Sequence, residues 1–166
     1  MKKILPICTL LVLTFAITGN TGCTKGEDGT PGKSGNANVT ARTFSVSSWA
    51  SNSSRWYAQL SVPELNSSNI NSASVQVYWG TVSNNWLALP YTYVTSTTNY
   101  FMGYLTTVNL VEVRWDYNGA GIGSDPNTVF GSAVQIKVVV IPPAAMVANP
   151  HLDLKNYQEV AKQFNL

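Results

Sequence analysis

The chain has 166 residues, 45% of them hydrophobic and only 11% charged, with ten Lys and Arg against eight Asp and Glu. Lys2 and Lys3 account for the surplus: removing two of ten leaves eight basic side chains against eight acidic ones, with Arg42, Arg55 and Arg114 scattered, so the basic cluster of a nucleic-acid binder is missing and no nucleic-acid partner is expected. The single histidine, His151, and two cysteines, Cys8 and Cys23, supply neither a zinc ligand set nor a nucleophile with its base.

At the N-terminus, Lys2 and Lys3, the apolar run from Ile4 to Ile17 and a small polar exit compose an export leader over residues 1–22. The run is broken by Pro6 and Thr9 and is shorter than the roughly 20 residues of a spanning helix. Thr21 and Gly22 before Cys23 resemble the end of a bacterial lipoprotein signal peptide, which implies that Cys23 is acylated and becomes the new N-terminus. Ordinary secretory cleavage near Thr18 or Gly19 is the other reading, and it leaves Cys23 as a free thiol in an oxidising compartment. Cys8 lies within the leader, so the 166 residues less 22 leave 144 with one cysteine, a length that suits one domain.

From Gly26 the chain reads Gly-Glu-Asp, Gly-Thr-Pro, Gly-Lys-Ser, Gly-Asn-Ala, the three-residue period of a collagen-like repeat. Pro31 is the only imino acid in the tract, so the individual chains lack the stiffening a triple helix needs. Residues 23–36 are expected to form the lipidated cysteine and a hydrophilic spacer, a coil of about 20 Å that reaches about 40 Å in polyproline geometry.

Past Asn36 the period changes to two, and runs rich in Val, Tyr, Trp and Thr alternate with Ser, Asn, Gly and Pro clusters, which predicts an all-β antiparallel β-sandwich over residues 37–150. Seven strands are expected, near residues 38–48, 54–62, 73–81, 85–94, 99–107, 110–117 and 133–141. Inward faces are legible as Trp56, Ala58, Leu60 and Val62, as Val75, Val77 and Trp79, and as Val111, Val113, Trp115 and Tyr117. Opposite the last set, Glu112, Arg114 and Asp116 alternate in sign and read as cross-strand ion pairs on a solvated face. The strand at 133–141 is apolar on both faces, with Val134, Ile136, Val138 and Val140 on one and Val139 and Ile141 on the other, and must be covered twice. The expected cover is a C-terminal α-helix in residues 151–166, capped by Asp153, with Leu154, Tyr157, Ala161 and Phe164 on one stripe and "IPPAAMVANP" as its linker.

Two groups of residues are candidates for binding. Asp116, Asn118, Asp125 and Asn127 surround a glycine-rich bend with oxygen ligands, but Ala120 and Asn127 depart from the calcium-loop pattern. An ordinary mobile turn is the preferred reading, with no metal and no helix start after the glycines. Trp86, Tyr91, Tyr93 and Tyr100 could form a glycan platform, stacking on pyranose faces beside amide and carboxylate side chains. Aromatics also dominate β-cores for packing reasons, and packing is the preferred reading. No cofactor is expected.

Cys23, the Gly-X-Y tract, "GNANV", "SVQVYWG", "WLALPYTY", "VQIKVVVIPP" and "DLKNYQEVAKQF" resemble the collagen-like-repeat lipoproteins of Bacteroidetes over nearly the whole chain. The resemblance implies a β-sandwich anchored through acyl groups on Cys23 to the bacterial outer membrane, and Lys25, Glu27 and Asp28 loosely resemble an export signal to its outer face. It brings no catalytic residue and no ligand. The expectation is a non-enzymatic surface lipoprotein for structural or adhesive interaction. The alternatives are a carbohydrate-binding module and an enzyme with a carboxylate pair assembled by folding.

Overall fold

The computed structural model describes residues 38–81 and 85–166. The chain divides into two units, residues 1–31 and 32–166, and the description concerns the second. The leader, Cys23 and the Gly-X-Y tract lie outside the described residues.

Among the described residues nine strands form two antiparallel sheets. The four-stranded sheet contains β1 (Thr40–Val46), β9 (Val134–Ile141), β4 (Ser74–Gly80) and β5 (Trp86–Ala88), in that order. The five-stranded sheet contains β2 (Ala50–Ser51), β3 (Trp56–Ser61), β8 (Leu110–Tyr117), β7 (Asn99–Thr107) and β6 (Tyr91–Val94). Three short helices accompany them: α1 (Pro126–Phe130), α2 (Pro143–Ala148) and α3 (Tyr157–Phe164). Among the described residues no helix is long and apolar enough to cross a membrane, which says nothing of β-barrels.

The all-β antiparallel sandwich with a C-terminal helix is what alternation in the sequence predicts. The inward residues of β3, β4 and β8 pack with Val134, Ile136, Val138 and Val140 of β9 in one core between the sheets. A second core lies on the other face of β9, where Val139 and Ile141 meet Tyr78 and the Tyr157, Val160 and Phe164 side chains of α3. A strand apolar on both faces is stable only under such double cover. Tyr104 of β7 ties the sheets by donating its hydroxyl to the Val75 carbonyl at 2.9 Å, and burial pushes that phenol up from its ordinary pKa.

The differences from expectation have local causes. The expected strand at 85–94 is two strands in different sheets, because Pro90 has no N–H for a ladder. The expected strand at 38–48 ends at Val46, and the chain crosses to the other sheet as β2. Asp153 does not cap the terminal helix: its carboxylate accepts from the Lys155 N–H at 2.9 Å, and Asn156 caps α3 by accepting from Glu159 N–H at 3.3 Å. Leu154 therefore precedes the helix and is half-buried, while Val160, absent from the expected stripe, is fully buried. The expected linker contains α2, with Pro143 at a position where a missing N–H costs nothing.

α3 is fixed by polar contacts as well as by burial. Tyr78 donates to the Leu154 carbonyl at 2.7 Å, and Lys137 Nζ donates to the Tyr157 hydroxyl at 2.6 Å while lying 4.3 Å from both the Trp86 and Tyr157 ring centroids. Among the described residues no strand pairs with the outer edge of β1 or with most of that of β3. Arg42, on the inward-facing register of β1, reaches Glu64 beyond β3, with Nη2 to Oε1 at 2.6 Å. An inward charge on an edge strand discourages edge-to-edge pairing with other chains.

Candidate functional site

The four expected platform aromatics do not form one exposed surface. Tyr100 is buried and stacks on Trp115 at 4.6 Å and 14°. Tyr93 is half-buried in the intersheet core, within 5.0 Å of Phe130 and 6.0 Å of Trp79. Tyr91 touches Trp79 at 5.6 Å and is the most exposed of the four described faces, at 36%. Trp86 belongs to the second core, against Tyr157 and Lys137. The structure thus groups Tyr91, Tyr93 and Tyr100 on β6 and β7, with Tyr93 directly opposite Tyr100 and both against Trp115, and places Trp86 elsewhere, so the three that meet do so by packing inward.

The expected oxygen ligands are also engaged separately. Asp116 pairs with Arg55 at 3.2 Å, and Asn127 Oδ1 accepts from Trp49 Nε1 at 3.2 Å. Asp125 caps α1, accepting from the Thr128 N–H at 3.1 Å and from its hydroxyl at 2.6 Å, and these bonds hold its carboxyl below the ordinary range. Asn118 is exposed, and its backbone N–H donates to the Asn99 carbonyl. A helix start does follow the glycines, signalled by Asp125 at the cap and Pro126 at the first helical position. Nor is the bend a free turn: Trp56 Nε1 donates to the Gly123 carbonyl and Trp115 Nε1 to the Ser124 carbonyl, each at 3.1 Å. Among the described residues no three His, Cys, Asp or Glu side chains gather in one place.

The feature that the sequence reading passed over is the outward face of the five-stranded sheet. In register, Tyr57 lies opposite Arg114 and Gly103, Gln59 opposite Glu112 and Leu105, and Phe101 opposite Asp116. Three strands by five residues make a surface about 10 Å by 13 Å. Phe101 and Leu105 are 44% and 46% exposed. A Cβ on Gly103 would stand 2.8 Å from Phe101 Cε1, so the missing side chain is what lets the ring lie flat against the sheet. Around these apolar groups the charges alternate: Arg114 Nε donates to Glu112 Oε1 at 2.8 Å, Arg55 pairs with Asp116, and Gln59 reaches Glu112 at 3.4 Å. The hydrogen bond from Arg114 holds the Glu112 carboxyl below its ordinary pKa, leaving it ionised as an acceptor at neutral pH.

Such exposed ion pairs contribute little to stability, so their order is available for recognition. The two carboxylates on this face stand four residues apart on one strand, about 13 Å between Cα atoms, and each is held by an arginine. The arrangement offers a flat ring flanked by planar donors and acceptors. The signal in the sequence was "NYFMGYL", where Phe101 and Gly103 share a face, but the aromatic count drew the reading to neighbours that pack inward. Comparison with protein-family models, with curated proteins and with solved structures gave no match.

Proposed function

We propose that this chain is a non-enzymatic lipoprotein, anchored to the bacterial outer membrane through acyl groups on Cys23, that displays its sandwich at the cell surface for adhesive contact. The leader, the cysteine and the Gly-X-Y spacer directly before the domain support the anchor. The observation that carries the adhesive part is the exposed Phe101 lying over Gly103 among Arg55, Arg114, Glu112 and Asp116. Apolar groups ringed by oriented polar ones are the anatomy of a recognition surface, with aromatic and arginine side chains as its usual anchors.

A second reading, a carbohydrate-binding module, is favoured by the same ring. Its exposed π-face and the Arg114 and Asp116 groups on the neighbouring strand suit the apolar face and hydroxyl edge of a pyranose. The residues differ from those the sequence suggested. Immobilised protein lacking residues 1–35, tested on glycan arrays and on surfaces coated with unglycosylated protein, separates the readings. Binding to protein-coated but not glycan surfaces favours adhesion in general, and glycan binding favours the module. In either case Phe101→Ala and Arg114→Ala are each expected to weaken binding at least about tenfold, the effect of about 1.4 kcal/mol at a recognition anchor. Binding that survives both substitutions unchanged would remove this face from the account.

A further inference from the structure

One end of the sandwich holds a cavity of about 240 Å³ that shares no residue with the outer face. Its walls include Trp79 of β4, Tyr93 of β6, Phe130 of α1 and the start of β9 at Ser132, Ala133 and Val134. The three rings touch one another, with centroids 4.8 Å apart for Trp79 and Phe130, 5.0 Å for Tyr93 and Phe130 and 6.0 Å for Trp79 and Tyr93. They form a continuous aromatic wall and not a cage around an ion. α1 holds the third ring in place: Asp125 caps the helix, and Gly131, at φ 68°, turns the chain back into β9.

We propose that this cavity binds a small uncharged aromatic molecule of the phenol or indole class. Size is the first argument: the cavity opens to the surface, and an apolar cavity of about 150 Å³ already admits benzene. A space of 240 Å³ has room for a substituted or fused ring. Charge is the second. Among the described residues no Asp, Glu, Lys, Arg or His lines the cavity, and an ionised ligand would lose its hydration without a counter-charge. Hydrogen-bonding capacity is the third. The Thr81 hydroxyl already donates to the Asn85 carbonyl at 3.2 Å, so among the described residues Ser132 and Tyr93 supply the other side-chain hydroxyls of the lining. A free sugar brings more hydroxyls than these can satisfy, and each one buried without a partner opposes binding. A ring with a single hydroxyl or N–H matches the supply.

Titration of the full chain carrying Cys23→Ser with p-cresol, indole and glucose, followed by amide and indole N–H NMR shifts, tests the assignment. Saturable shifts at Gly80, at residues 130–134 and at the Trp79 indole N–H are expected from p-cresol and indole, and none from glucose. Ala133→Phe and Ser132→Phe, each of which adds a ring at a lining residue, should each raise Kd at least about tenfold, whereas Phe101→Ala on the outer face should leave it unchanged. Shifts that stay linear in ligand, that appear equally with glucose, or that persist with unchanged Kd in both filled variants overturn the proposal and leave the adhesive reading untouched.

Discussion

Three indole N–H groups, from Trp49, Trp56 and Trp115, converge on residues 123–127 and turn a glycine-rich bend into a fixed lead for α1. Their partners stand 78, 67 and 9 residues away, so the apolar bodies of Trp56 and Trp115 were legible from alternation, while Trp49, outside the expected strands, and the polar ends of all three were not. Asp125 was legible only as an oxygen ligand, although the following Pro126 marked it as a cap. Asp125→Ala is expected to cost about 1 kcal/mol at neutral pH, within the usual range of about 0.5 to 2 for a lost cap. The folded carboxyl is held below its ordinary pKa, first by the Thr128 hydroxyl. Its extra stabilisation is therefore complete above the unfolded carboxyl's pKa and is lost as pH falls through the folded one. Urea midpoints of the wild type, Asp125→Ala and Asp125→Asn at pH 7 and about pH 2.5 check this: the gap to alanine should narrow in acid, and asparagine, itself a cap, should show no carboxyl titration at this site.

At the level of elements, the strands with one buried face were readable because alternation dictates their side, and β9 was readable as doubly covered because both of its faces are apolar. Breaks were harder. Pro90 divides one apparent strand between two sheets, and Pro143 begins a helix inside what reads as a linker, so the same residue type ends one element and opens another. The terminal helix was visible by spacing, but its first turn shifted because Asp153 spends its carboxylate on Lys155. Phe164 is 1% exposed at the end of that helix, and Phe164→Ala is expected to cost about 3 to 5 kcal/mol. Leu154→Ala should cost less, since Leu154 is half-buried outside the helix. Denaturant midpoints decide between this and a peripheral helix, for which Phe164→Ala would change stability by no more than about 0.5 kcal/mol. Removing residues 151–166 should go further and uncover Tyr78, Val139 and Ile141, giving a protein that aggregates through the bared face.

For the whole molecule, the proposed role combines an address and a surface. The address rests on Cys23 and the segments around it, where a few residues carry a processing chemistry that needs no folding to be read. The surface was barely legible, because Glu112, Arg114 and Asp116 read as a solvated face until the register set them beside Phe101 and Gly103. That register is a tertiary fact, fixed by the β7–β8 hairpin, where Asn109 takes a left-handed conformation and its N–H donates to the Leu65 carbonyl. Display is the part of the account on which adhesion depends, and lipid attachment at one thiol is its most exposed claim. The decisive measurement is radiolabelled palmitate incorporation, with cell fractionation and protease treatment of intact cells, for the wild type and Cys23→Ser. The account predicts a wild-type protein that is labelled, sediments with membranes and is cut by external protease, and a variant that is unlabelled and released; a variant that labels and sediments like the wild type would contradict it.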